Sequence, residues 1–376
     1  MQNINKINFP TDYSSILDRI EAIDPINYAK TRNYLNAQIT YLSPYISRGV
    51  ISVKQILDYL LNKGYPIHAT EKLIQELAWR EYYQRVWQSK NNLIWEDLKQ
   101  IQPNFDHRNM LVALNEAQTG ITIIDREIKN LYDVGYLHNH IRMYLAAIAC
   151  NIAKAHWLEP SKWMYYHLLD GDIASNNCSW QWVSGAFSGK KYYCNQENIN
   201  KYALSHQWKT FLDVPYEDLV NMPIPSHLQE TFHLQLNTNL PLTNLPVIDN
   251  TIPTLIYNSY NLDPIWRKNQ NVNRVLLLEP SLFNQYPVSD KVIEFILNLS
   301  KNINGIQVYT GELEDIQKLY PIAKSSNKDF IISKEHPAFN HYTGSKDERE
   351  WMFPTVTGYY PSFFSFWKKC QANLTN

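Results

Sequence analysis

The chain has 376 residues, a length that fits two domains, with 44% hydrophobic and 19% charged residues. That balance excludes a disordered chain, and a formal net charge of −1 excludes a globally basic nucleic-acid binder, so any DNA-binding surface must be a local basic patch. The four cysteines, Cys150, Cys178, Cys194 and Cys370, form no Cys-x-x-Cys pair, so no metal site is expected. Residues 1–10 are polar and no apolar run reaches membrane-spanning length, which leaves a cytoplasmic protein without membrane contact as the expectation.

In chain order, residues from about 12 to 212 read as almost wholly helical. The runs Ile20–Leu42, Glu71–Trp87 and Thr122–Trp157 carry apolar residues at three-to-four spacing. Ser52 and Gln55 are placed to form a capping box, and Gly49 and Gly135 sit where helices should stop. Prolines 215, 223, 225, 241, 246 and 253 then punctuate a stretch of weak periodicity that reads as a linker. Beyond it, the runs 254–258, 274–279, 305–310 and 329–333 are strand-like, with helix-like segments at 289–301 and 312–320 between them. This alternation predicts a small parallel α/β unit, without a Gly-x-Gly-x-x-Gly or Walker loop to support nucleotide binding there. The expected division is residues 1–215 as a helical domain, 216–252 as a linker and 253–376 as the α/β domain.

Four short constellations stand out in the helical part. Ser43 before Pro44 reads as a helix start, with Ser43 at the N-cap and Thr40 adding a second hydroxyl; most such starts bind nothing. Glu76, Trp79 and Arg80 share one helical face, which suits either a pocket for a base and its phosphate or a surface ion pair beside a core tryptophan. Asn139, Arg142 and Met143 share another face. Arg142 lies in an otherwise apolar helix and needs a carboxylate, for which Asp170 or Asp172 is the available supply. The run LDGDIASNNCSWQW, from Leu169 to Trp182, gathers aspartates, asparagines and tryptophans that could bond and stack on a polar heterocycle.

Taken together, LSPYISRG, ELAWREYY, TGITIIDREIKNLYDVGYLHNHIRM, the HW at Trp157 and HLLDGDIASNNCSWQW resemble, in order, the flavin-binding helical domain of the cryptochrome/photolyase family. The blocks cover about residues 28–193. The resemblance implies a mainly α protein with a photolyase-type FAD-binding helical domain, followed here by a small Rossmann-like α/β domain. The family's antenna domain normally precedes the helical domain, and the strand pattern leaves open whether this α/β unit is a transposed antenna-type domain or an unrelated module.

The same resemblance implies FAD as cofactor. It assigns Tyr28, Arg32, Thr40, Leu42 and Ser43 to the FAD phosphates and ribityl chain, Arg80 and Asn139 to its neighbourhood, Arg142, Asp170 and Asp172 to the isoalloxazine ring, and Asn176 to ring nitrogen 5. On the lesion side it implies Glu76, Trp79, Asn139, Met143 and Trp182 around a cyclobutane pyrimidine dimer. Repair of six-four photoproducts would need histidines at the Asn139 and Met143 positions. Trp180 and Trp157 match the first two members of an electron relay; the third position falls near Phe105, with Trp95 and Trp87 as nearby alternatives. His140 stands where the family usually has an arginine near the DNA. The implied activity is that of a carbon–carbon lyase: blue-light repair of dimer-containing DNA by a monomer whose antenna chromophore is unspecified. The alternative is a cryptochrome-like photoreceptor that signals to a protein partner.

Overall fold

In a computed structural model of the protein, residues 7–320 and 330–374 are described. They form two compact units, each assembled from separated stretches of chain. One takes the described parts of Met1–Ile23, Tyr41–Gly64 and Leu236–Thr355; the other takes Asp24–Thr40, Tyr65–Gln235 and the described part of Val356–Asn376.

The principal helices are α1 (Tyr13–Glu21), α2 (Pro25–Thr31), α3 (Ser43–Ser47), α4 (Val53–Asn62), α5 (Ile67–Lys90), α6 (Thr122–Val134), α7 (Asn139–Ala147), α8 (Leu158–His167), α9 (Ile173–Ser184), α10 (Gln196–Ala203), α11 (Asp290–Ser300) and α12 (Phe363–Gln371). The run Ile20–Leu42 is therefore not one helix. Asp24 caps a new start, its side chain accepting from the N–H groups of Ile26 and Asn27, and Pro25 cannot continue the helix before it. After Thr31 the chain turns through residues 32–36 and runs on without regular structure to Leu42. The capping box at Ser52 and Gln55 is present. Gly135 is the left-handed C-cap of α6, and Gly49, also at positive φ, follows α3. At the start of α3 the expectation fails in detail: Leu42 occupies the N-cap without a side-chain bond, and Ser43 is already helical.

In the α/β unit, strands β3 (Thr254–Tyr257), β4 (Asn273–Leu278), β5 (Ile306–Thr310), β6 (Ile331–Lys334) and β7 (Ser345–Asp347) form a parallel sheet in the order β5-β4-β3-β6-β7. β3 is buried throughout, as are Val275–Leu278 of β4. Such unbroken apolar runs are expected of parallel strands covered on both faces. β7 was not anticipated, because Ser-Lys-Asp carries no strand signal; Asp347 is fixed instead by the Arg267 guanidinium and the Trp266 indole N–H. Residue 329, part of an expected strand, lies outside the described residues.

In the helical unit a short antiparallel pair, β1 (Met110–Leu111) and β2 (Thr231–Phe232), ties residues 231–232 back to the core. That core gathers Ile124, Ile128, Leu131, Ile141, Leu145, Trp157, Trp163 and Trp180. α7 runs on into a π-helical turn, Ile148–Ile152, whose buried Asn151 donates to the carbonyls of Val183 (3.0 Å) and Tyr192 (2.6 Å). No helix of the described residues is long and apolar enough to cross a membrane.

Gly135 also sets the loop after α8. Its carbonyl accepts from Leu169 N–H at 2.8 Å, and a Cβ there would lie 2.7 Å from Leu169 Cγ. Gly135→Ala combines that clash with a left-handed backbone that costs an L-residue roughly 1–2 kcal/mol. A thermal melt should show a clear loss of stability; an unchanged Tm would mean that the loop does not depend on this approach.

Candidate functional site

The loop that Gly135 holds carries two aspartates into the helical unit. Asp170 accepts two hydrogen bonds from Arg142 Nη2, at 3.0 and 2.8 Å, and Arg142 Nε donates to Leu137 O at 2.9 Å. Two residues on, Asp172 caps α9: Oδ1 accepts from Ser175 N–H at 2.7 Å, and Oδ2 takes Arg80 Nη1 at 3.0 Å and the Gln84 amide. Both carboxylates are buried, Asp170 at 6% exposure and Asp172 at 3%. A buried carboxylate is stable only when paired and bonded in this way. Of the two candidates for Arg142, Asp170 is the partner; Asp172 belongs to Arg80, one turn beyond Glu76 on α5.

Asn176, one turn into α9, donates its amide N–H to Ser161 O at 2.9 Å and to Asn177 Oδ1 at 3.3 Å. These bonds fix the amide with its oxygen as the end left to accept a hydrogen from a ligand. On α7, Asn139 Nδ2 lies 3.8 Å from Met143 Sδ, so these two side chains are together.

Glu76 is paired with Arg32, a contact between α5 and the residue following α2. Burial raises the Glu76 carboxyl above the usual carboxylate range, while the Arg32 guanidinium pulls it back. Tyr28 lies close enough for Glu76 to help raise its phenol as well, after burial. Tyr28, Arg32 and Glu76 therefore form one cluster, although the resemblance gives the first two to FAD and the third to a lesion. Trp79 is half-buried and stacked on Phe363 of α12, with ring centroids 3.6 Å apart and planes at 10°. Sequence reasoning missed Phe363: it lies far along the chain, within the expected α/β domain. Leu42 and Ser43 lie in the α/β unit, whereas Thr40 lies in the helical one.

Among the tryptophans, Trp157 and Trp180 are buried and Trp182 is 36% exposed, its ring 5.9 Å from Tyr192. Trp157 Nε1 donates to Asp97 Oδ1 at 2.7 Å, and its backbone N–H donates to Gln102 Oε1. Burial pushes the Asp97 carboxyl up, but bonds from His156, Gln102 N–H and Trp157 outweigh it and leave it below the usual range. Phe105 packs edge-on against His156 at 5.0 Å, next to Trp157. Trp87 is buried on α5, and Trp95 lies under the Lys162 ammonium.

Residues 73–210, wholly within the helical unit, match the FAD binding domain of DNA photolyase. In this domain the chain is similar to DNA photolyases. A deoxyribodipyrimidine photo-lyase of Buchnera aphidicola subsp. Acyrthosiphon pisum is 30% identical over 224 residues, covering 56% of this chain and 45% of that protein. The deoxyribodipyrimidine photo-lyase of Escherichia coli K12 is 31% identical over 153 residues, or 38% and 32% of the two chains. The chain thus spans less than half the length of these curated relatives. The crystal structure of a Synechocystis sp. PCC6803 cryptochrome superposes with a TM-score of 0.48 at 22% identity, over 59% of this chain and 49% of that one.

His138 and His140 flank Asn139. Burial, aided by His140 and Arg142, brings His138 down to about 4, and burial with Arg32 brings His140 to about 4. Both are neutral at pH 7, so His140 adds no positive charge where the family resemblance expects an arginine. Unfolded, each would bind a proton near pH 6.5. Their share of the folding stability is therefore present above that pH and lost as pH falls from about 6.5 towards 4. His140→Gln should flatten the loss of thermal stability between pH 7 and pH 5; an unchanged pH slope would show that His140 titrates normally.

Proposed function

We propose that the helical unit binds FAD and that the protein repairs cyclobutane pyrimidine dimers in DNA under blue light. The observation that carries this reading is the double arginine–aspartate arrangement, Arg142 with Asp170 and Arg80 with Asp172, beside the fixed amide of Asn176. It lies within the matched FAD-binding domain, and this donor set fits a flavin: planar cations, buried acceptors and an amide oxygen. When bound, FAD supplies a blue-light-absorbing centre that can give one electron to a neighbouring acceptor. Arg142 and Asp170 would hold the ring system, Asp172 would bond to it, and the Asn176 amide oxygen would accept a hydrogen from it. Within the helical unit, Tyr28, Arg32 and Thr40 would serve the phosphates and the ribityl chain, with Arg80 and Asn139 nearby.

A flipped dimer would stack against Trp79 and Trp182 and touch Asn139 and Met143. Glu76 donates its carboxyl O–H to a base carbonyl on which negative charge accumulates as the ring opens, a role in which a single donor counts in the reacting state more than in the bound state. A dimer that draws Glu76 away from Arg32 also removes the attraction that keeps this carboxyl ionised, so the proton is taken up with the substrate. Trp180 and Trp157 carry electrons inward. The Asp97 carboxylate on the Trp157 indole N–H favours positive charge on that ring.

A second reading is a photoreceptor that signals to a protein partner. It is favoured by His140, neutral at pH 7 where an arginine would attract phosphate.

Purified protein should be yellow, with about one FAD per chain, and should restore a dimer-containing oligonucleotide under blue light. Bound flavin without repair would favour the photoreceptor. Repair by the parent should decline as pH rises, because Glu76 loses its O–H. Glu76→Gln, whose amide N–H does not titrate, should show no such decline. Parallel pH profiles for the two proteins would exclude Glu76 as the donor.

A further inference from the structure

α12 is bound to the helical unit by one face and displays the other. Its buried side chains, Phe363, Phe366, Trp367 and Cys370, include the packing on α5, where the Phe366 ring lies 5.7 Å from Tyr82. Tyr82 Oη donates to Tyr360 O at 3.1 Å, and Gln371 Nε2 donates to Glu71 Oε1 at 2.9 Å, so the segment is fastened at both ends of the contact. Phe363 covers one face of the Trp79 indole. A base stacking on Trp79 is left with the opposite face.

The next residue is turned outward. Phe364 is 68% exposed, and its ring stands edge-on to the same indole, with centroids 6.5 Å apart and planes at 77°. An aromatic ring left in water forgoes the burial that usually stabilises it. Here it sits beside a tryptophan that the proposed function turns towards a nucleobase. One turn further along the helix Lys368 is exposed, with Lys369 next to it. Residues i and i+4 share a helical face, so Phe364 and Lys368 present an aromatic plane and a cation together. That combination binds unstacked nucleic acid: bases stack on the ring and phosphates meet the ammonium.

We propose that α12 is part of the nucleic-acid surface: Phe363 positions Trp79, Phe364 stacks on a nucleobase adjacent to the one at Trp79, and Lys368 meets the intervening phosphate. This rests on the reading that Trp79 faces a base in bound DNA. It adds a contact from a helix that lies outside the matched FAD-binding domain.

The test is fluorescence anisotropy with the full chain in its flavin-bound form and a dimer-containing single-stranded oligonucleotide, as a function of salt. Phe364 is exposed, so Phe364→Ala should leave flavin absorbance and Tm unchanged. Its affinity should fall by about tenfold, the order expected for losing one base–aromatic stack. Phe364→Tyr, which keeps the ring, should bind like the parent. Lys368→Ala should reduce the salt slope by about 0.7, the value for one phosphate contact on a single strand. If Phe364→Ala binds within about twofold of the parent while Trp79→Ala binds more weakly, this proposal is overturned and the DNA-repair reading stands. If the parent itself binds no oligonucleotide, both fall. If Phe364→Tyr is as weak as Phe364→Ala, stacking is not the contact and the proposal also fails.

Discussion

Two buried aspartates, two residues apart on one loop, each hold a half-buried arginine of a neighbouring helix. Asp170 takes Arg142 from α7, and Asp172 takes Arg80 from α5 while capping α9. Removing a carboxylate from water costs several kcal/mol even after relaxation, and losing one partner of a buried pair typically costs about 3–5 kcal/mol. The two pairs therefore constrain three helices at once: α5, α7 and α9 cannot shift without leaving a buried charge uncompensated. Gly135 belongs to the same constraint, because the loop bearing Asp170 reaches its place only by lying against a residue without a side chain. An arrangement this costly serves stability poorly compared with an apolar core. It is well suited to holding a planar polar ligand in one orientation.

The side proposed to face a lesion is organised differently. Glu76 and Trp79 lie on the same face of α5 and both find partners from distant parts of the chain, Arg32 and Phe363. Each partner changes what the residue can do. Arg32 sets the balance between the charged and neutral forms of Glu76, and Phe363 takes one of the two faces of Trp79. The site is thus assembled by segments on either side of the matched domain as well as by the domain itself. Asp97 extends the same logic to Trp157, placing a carboxylate on the indole N–H.

The legibility of these features followed their range in sequence. The capping box at Ser52 and the helix stop at Gly135 are local signals and were readable. So were β3 to β6, whose apolar runs are long enough to mark buried parallel strands. The need of Arg142 for a carboxylate was also readable, since an arginine in an apolar helix demands one, though the choice between Asp170 and Asp172 required the fold. The helix expected over Ile20–Leu42 failed because Asp24 and Pro25 begin a new helix in spite of the continuing periodicity. β7 was missed because its residues are polar and are held by Arg267 and Trp266. Arg32 with Glu76 and Trp79 with Phe363 were not legible, because nothing in a sequence marks which helices will face each other.

The most direct test of the central claim is a double-mutant cycle on Arg142 and Asp170, read by flavin occupancy and by stability together. Arg142→Leu leaves the buried Asp170 carboxylate unpaired and Asp170→Leu leaves the half-buried Arg142 guanidinium without its carboxylate, so each single variant should lose stability, the first more, and both should lose flavin. The double variant removes both charges and should recover most of the stability while remaining without flavin. A stable double variant that carries flavin at the parent's occupancy would show that the ion pair is structural only and would contradict the assignment of this site to FAD.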